Sequence, residues 1–283
     1  MQRIGPGGLH APPGLVEPTL TGYLHDPADV VSGANAMIAL FRLSWRLVAI
    51  LDFVLFTLLL LVLALLPLRL ISPLFRPLFH AWCRAFVRAL GVELKLHQHY
   101  RGHLPRHYVL VANHPSAFED VGIPALFPVR SLAKIEVADW WLVGRIAVAA
   151  GTLFVKRESA DSRKAAGQAL VDAARAGDCI ALYPEGGCKG RRLAGRFFNG
   201  AFIASFESGT PIVPVFLHYQ AQEEFEWADQ NIFLKLWQIA TARNPRADYH
   251  VFEPIDPHHF DSAEAMKEHA YRLYQGWQKR FLE

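Results

Sequence analysis

Residues 109–120 read VLVANHPSAFED, an apolar run that delivers Asn113 and His114 and then, in a short polar stretch, Ser116, Glu119 and Asp120. A histidine carried to the end of a buried strand with a carboxylate nearby is the raw material of a general base. The carboxylate selects the tautomer and supports the charged ring, while the other ring nitrogen takes a proton. A second apolar run, 179–183, ends at Pro184, Glu185, Gly186 and Gly187, where two glycines permit close backbone approach. A third block, GTLFVKR at 151–157, ends in Lys156 and Arg157, cations suited to an anionic headgroup or a cofactor phosphate. Each block alone has a plainer reading: a strand-end histidine is commonly structural, and a Lys-Arg pair is commonly a solvated surface feature. Ser116, two residues from His114 in a turn, suits a local hydrogen bond better than a covalent role. The chain contains no Gly-x-Ser-x-Gly nucleophile elbow, which argues against a soluble serine hydrolase.

These residues need strands behind them, and the pattern from residue 91 onward supplies them. Short apolar segments at 92–96, 108–112, 131–135, 152–155, 179–183, 212–217 and 249–253 read as strands. Residues 161–176 read as a helix capped by Ser159 or Asp161 and stopped by Gly177. Asp261 followed by Glu264 resembles a capping box opening a terminal helix to about residue 281. Buried strands alternating with helices predict an α/β domain over 91–283.

The preceding part of the chain is different in kind. Residues 1–40 are expected to form an irregular leader, rich in Gly and Pro at its start, and the late apolar run does not fit a signal peptide. Residues 53–66 are apolar except for Thr57, and extension back to residue 47 gives a 20-residue segment that includes Asp52. Twenty helical residues cover about 30 Å, enough for a bilayer core. Asp52 is tolerable only near one end of a span, so a tilted span and one leg of a re-entrant hairpin are both open. After Pro67, Arg76, Arg84 and Arg88 alternate with Leu, Phe, Trp82 and Val, as in an amphipathic helix at a lipid interface, a packed helix with snorkelling arginines being the alternative. Residues 41–90 are therefore assigned to membrane-embedded and interfacial helices, with the lipid bilayer as partner. Seven basic against two acidic side chains between residues 41 and 100 form a cationic collar around this stretch.

Composition narrows the classes further. Apolar residues make up 52% and charged residues 19% of the 283, so lipid contact has to be considered before any core is drawn. The net charge of +3 is too mild to point to nucleic acid. Cys83, Cys179 and Cys188 lack short metal spacing and cannot all pair with one another, which predicts no metal site and a catalytic part facing the cytoplasm.

The order and spacing of the blocks resemble the glycerolipid acyltransferase family, best represented by 1-acyl-sn-glycerol-3-phosphate (lysophosphatidic acid) acyltransferases. The family's Asn-His, a Ser two residues after the His and an acidic residue five after it correspond to Asn113, His114, Ser116 and Glu119. Its Gly-to-Phe-x-x-Arg block resembles 151–157, its Phe-Pro-Glu-Gly block resembles 183–186, and a later apolar-Pro block resembles 212–215. The resemblance implies a mixed sheet flanked by helices, preceded by a membrane-embedded helical segment. It implies His114 as base, oriented by Glu119 or, out of register, Asp120. It further implies acceptor or donor binding by Asn113, Ser116, Lys134, Lys156, Arg157, Glu185, Gly186, Gly187, Lys189 and Arg191, with Glu185 anchoring its turn and touching acceptor hydroxyls. The implied reaction moves a fatty acyl group from acyl-CoA or acyl-carrier protein, a co-substrate and not a bound cofactor, to the free hydroxyl of a lysophospholipid, 1-acylglycerol-3-phosphate first. Trp140 and Trp141 are expected to help hold the site at the membrane. Two departures matter: Glu119 stands where the family has Asp, and Gly187-Cys188 stands where it commonly has Thr-Arg. The second removes a hydroxyl and a fixed cation from the expected phosphate region, which keeps other lysolipid acceptors open, including lyso-ornithine lipid and a lyso-phosphodiester.

Overall fold

A computed structural model describes residues 27–66, 68–139, 143–149, 151–156, 159–227 and 231–283. By internal contacts the chain divides into Met1–Leu43 and Ser44–Glu283.

Helix α1, Pro27–Ala64, opens with proline at its first position, where the missing N–H is no loss. Residues 27–40, expected to belong to the irregular leader, are helical: past Pro27 they contain no proline and several good helix formers among Ala, Met and Leu. Leu43–Ala64 is long and apolar enough to cross a membrane, with only 11% of its most apolar window buried. Helix α2, Leu68–Leu90, folds back alongside. Trp82 Nε1–H donates to Thr57 Oγ1 (2.8 Å), and Phe53 meets Trp82 at a tilt and Phe86 edge-on. Asp52, costly in a bilayer interior, is paired with Arg88 of α2 at 3.2 Å. Of the two readings of this stretch, an interfacial amphipathic helix and a packed helix with outward arginines, α2 has features of the second, with Arg76, Arg84 and Arg88 exposed. Phe75, Cys83, Ala85 and Val87 are buried, and Phe79, Trp82 and Leu90 pack on the domain core, while Leu74 near the start of α2 is exposed.

The remainder is a seven-stranded mixed sheet: β1 (Glu93–Gln98), β2 (Val109–Ala112), β3 (Arg130–Lys134), β4 (Leu153–Val155), β5 (Ile180–Leu182), β6 (Ile212–Tyr219) and β7 (Arg246–Val251), in the order β1-β7-β6-β2-β5-β3-β4. Only the β6–β7 pair is antiparallel. Connecting helices are α3 (Glu119–Leu126), α4 (Ile135–Ala138), α5 (Val143–Ala149), α6 (Ala160–Arg175), α7 (Gly200–Ser208), α8 (Gln222–Phe225), α9 (Ile232–Thr241) and α10 (Ala263–Leu282). Strand β2 is buried at every residue, so its side chains feed two cores. Leu110 and Ala112 join Val87, Phe118, Tyr219 and Tyr249 on the face covered by α2 and α3. Val109 and Val111 join Leu170, Phe202 and Tyr274 beneath α6, α7 and α10.

Ser159 caps α6 by accepting the Ser162 N–H (3.2 Å), and Gly177 closes its end at φ 84°, as the sequence predicts. The terminal helix is capped one residue later than expected, by Ser262 through Ala265 N–H (3.1 Å). Trp140 and Trp141 lie outside the described residues.

Candidate active site

Strand β2 is central, with parallel β5 on one side and parallel β6 on the other. Val111 pairs with Leu182, so the turns that follow the two strands leave the same edge of the sheet, the carboxyl edge where open α/β folds hold their ligands. This register brings His114 and Glu185, 71 residues apart, into contact: Glu185 Oε1 accepts the His114 backbone N–H at 2.7 Å.

The His114 ring is buried, with 7% of the residue exposed, and Nδ1 lies 3.0 Å from Oε2 of a fully buried Glu119. Glu119 opens α3 and points inward, whereas Asp120 beside it is exposed, so helix geometry places Glu119 and not Asp120 against the ring. The extra methylene of Glu is taken up by two further anchors. Tyr219 Oη–H donates to Oε1 (2.5 Å), and the Ser116 backbone N–H reaches both oxygens at 3.1 Å. With Nδ1 turned to Glu119, Nε2 faces the site and lies 3.6 Å from the Cys188 sulfur. Tyr183 stacks on the imidazole with centroids 4.2 Å apart, fixing the ring plane.

Burial lowers the affinity of His114 for a proton, but the bonds to Cys188 and Glu119 and the field of Glu119 and Asp120 outweigh it. Its pKa stands well above the ordinary imidazole value. Burial raises Glu119 above the usual carboxylate range, against the pull of His114 and Tyr219. The pair therefore holds a proton readily on the ring side, which suits a base that must keep the proton it has just taken.

Several residues expected to contact substrate are committed to the scaffold. Asn113 Nδ2–H donates to the Leu217 carbonyl (2.9 Å) and its Oδ1 accepts the Leu217 N–H (2.7 Å), clamping the end of β2 to β6. Ser116 Oγ–H donates to the Phe225 carbonyl (2.5 Å) and accepts the Phe118 N–H (3.1 Å). The second Glu185 oxygen accepts the Ala194 N–H (2.6 Å), so Glu185 is buried and anchors its turn with both oxygens bound to backbone. Arg191 donates to the Leu282 carbonyl (2.9 Å) at the end of α10. Lys189 hands its backbone N–H to the His114 carbonyl (3.0 Å) and leaves its side chain exposed. Gly186 sits at φ 75°, and a Cβ there would meet the Phe198 ring at 2.5 Å, so the turn requires glycine. Gly187 follows it and precedes the thiol. Lys156 is exposed at the end of β4, and its backbone N–H is held by Ser162 Oγ (3.0 Å). The Lys134 side chain and Arg157 lie outside the described residues. Tyr183 and Cys188 were read only as part of, and a departure from, the Glu-Gly block, with no contact to His114 assigned to them, and Tyr219, 100 residues from its carboxylate, went unread.

The buried His114–Glu119 pair stands at the carboxyl edge of a mixed sheet with a glycine turn beside it, an arrangement able to take a proton from a hydroxyl. The family model described as Acyltransferase matches residues 95–218. The chain is 32% identical over 207 residues to a lyso-ornithine lipid O-acyltransferase of Pseudomonas aeruginosa, covering 70% of this chain and 77% of that protein. It is 29% identical over 193 residues to the protein of the same description from Rhodobacter capsulatus, covering 64% and 68%. The crystal structure of the 1-acyl-sn-glycerophosphate acyltransferase of Thermotoga maritima superposes with a TM-score of 0.60 over 87% of this chain and 96% of that one, at 17% identity, which speaks for the fold. The chain belongs to the lysolipid O-acyltransferase family, and it is an enzyme that transfers acyl groups to a lysolipid.

Proposed function

We propose that this enzyme acylates the free hydroxyl of a lyso-ornithine-type lipid, with His114 as general base and Glu119 as the group that orients it. The observation carrying the chemistry is the buried Nδ1 to Oε2 contact of 3.0 Å, which leaves Nε2 facing the site. The acceptor hydroxyl takes the place of the Cys188 thiol on Nε2 and gives up its proton as its oxygen attacks the thioester carbonyl of acyl-CoA or acyl-carrier protein. The carrier thiolate departs, and Glu119 stabilises the imidazolium. Transfer is direct, and neither Ser116 nor Cys188 forms an acyl intermediate.

The acceptor assignment departs from the first expectation of 1-acylglycerol-3-phosphate. Both relatives described above carry the lyso-ornithine lipid description, and the local chemistry agrees with them. Gly187 and Cys188 leave the turn without its hydroxyl and cation, and Arg191 is drawn away to α10. A phosphate monoester favours fixed, bidentate cations, whereas Lys189 beside this turn is an exposed point charge and Arg191 is bonded to the Leu282 carbonyl. Helix α1 holds the enzyme in the bilayer where acceptor lipid resides. The domain faces the cytoplasm, consistent with three free cysteines.

The test is an acyl-transfer assay on purified membranes, offering lyso-ornithine lipid, lysophosphatidic acid and a lyso-phosphodiester with each carrier. Lyso-ornithine lipid is expected to be preferred; preference for lysophosphatidic acid would return the first assignment and leave the chemistry intact. His114→Ala is expected to remain membrane-bound and to lose activity by about 10²–10⁴-fold, and normal transfer by that variant removes the proposed base.

A further inference from the structure

Helix α9 is inside out for a helix in water. It exposes Phe233 (78%), Trp237 (68%) and Leu234 (52%), together with Ile232, and it buries its one charged side chain, Lys235 (1%). Amphipathic helices on soluble surfaces do the reverse, and an apolar stripe of this kind marks a contact with something other than water. The orientation is well anchored. Asn231 caps the helix by accepting the Phe233 N–H (2.8 Å), Ile239 enters the core shared with Val87 of α2, and Lys235 Nζ reaches the Glu223 carbonyl (3.4 Å).

Its place in the fold says what covers it. Helix α9 lies against α2 on the face of the sheet that α2 covers, and α2 in turn holds α1 through Trp82 and Thr57. The apolar stripe therefore belongs to the same layer of the domain as the helix able to cross a membrane. The segment leading toward it is also built into the site. Phe225 packs between Phe118 and Tyr219, and its carbonyl takes the Ser116 hydroxyl.

We propose that α9 is a second membrane contact, lying in the surface of the leaflet with Phe233, Leu234 and Trp237 among the upper acyl chains, and that it seats the active-site mouth where an amphiphilic acceptor resides. This rests on the reading that the acceptor is a membrane lipid. The stripe is short, so it tilts and docks a domain already tethered by α1; it is not an anchor by itself.

Full-length enzyme in phosphatidylethanolamine–phosphatidylglycerol vesicles tests this. A fluorescent amino acid at position 233 is expected to be quenched by lipids brominated in the upper acyl chain, like one at position 58 in α1 and unlike one at position 272 on α10. An unquenched probe at 233 beside a quenched probe at 58 overturns the proposal and leaves the membrane reading of α1 in place. A probe at 233 shielded only at high protein density puts a second copy on the helix and equally overturns it. In the double variant Phe233→Ser, Trp237→Ser, KM for vesicle-borne acceptor is expected to rise on the order of tenfold, with kcat and the rate on a short-chain, water-soluble acceptor unchanged. Unchanged KM overturns the proposal. The quenching arm needs no acyl transfer, so it decides the matter even if the acceptor assignment fails.

Discussion

At the scale of the residue, the site depends on how one imidazole is held. Glu119 fixes the Nδ1 proton, Tyr183 fixes the ring plane, and Glu185 fixes the backbone from which the ring projects. Because the His114 pKa is raised, its base form is scarce at low pH and grows as pH passes the raised value. The rate is therefore expected to climb with pH on the alkaline side of the ordinary imidazole value. Glu119→Gln removes the carboxylate that supports the charged ring, so the rising limb should move to lower pH while the plateau falls by about 10²-fold or more. A pH-rate profile of kcat/KM measures both, and a limb that stays in place would assign the titration to another group. His114 and Glu119 were legible because they lie five residues apart in one turn. The choice of Glu119 over Asp120 was legible only as a preference of register. Tyr219 was not legible at all, since the contact exists only once β6 lies beside β2.

At the scale of the element, α3 decides whether Glu119 reaches its histidine. Its sequence, EDVGIPAL, contains Gly122 and Pro124, poor residues for an isolated helix, so packing holds it together. Gly122 faces the Tyr249 hydroxyl so closely that a Cβ there would collide with it. Gly122→Ala is expected to destabilise the protein by about 1–3 kcal/mol and to lower Tm by about 2–4 °C per kcal/mol. It should also lower kcat, because α3 must shift and carry Glu119 with it. Thermal unfolding and turnover measured on the same preparation check this, and a variant with unchanged Tm would show that the contact yields without cost. The α3 helix went unread because its composition is poor for a helix. No element was assigned over 232–241 either, since an almost uniformly apolar ten-residue run gives no period that separates helix from strand.

At the scale of the whole molecule, attachment to lipid rests on α1. Leu58 lies mid-way along its apolar stretch and is exposed. Leu58→Arg is expected to add about 2.5–3.5 kcal/mol to insertion and to move a substantial part of the protein from the carbonate-resistant membrane fraction to the extractable one; unchanged fractionation would mean that α1 does not sit in the hydrocarbon. Sequence alone determined the alternation of strands and helices, the apolar helix and the positions of the His and Glu-Gly turns, because each is a local pattern of side-chain period or turn chemistry. Tertiary structure decided which candidates face the site. Asn113, Ser116 and Arg191 carry the right chemistry for a ligand, yet strand pairing and helix packing placed a backbone partner within reach of each, and a buried polar group takes the partner it is offered. The same packing turned Lys235 inward and Trp237 outward, a choice no run of ten residues contains.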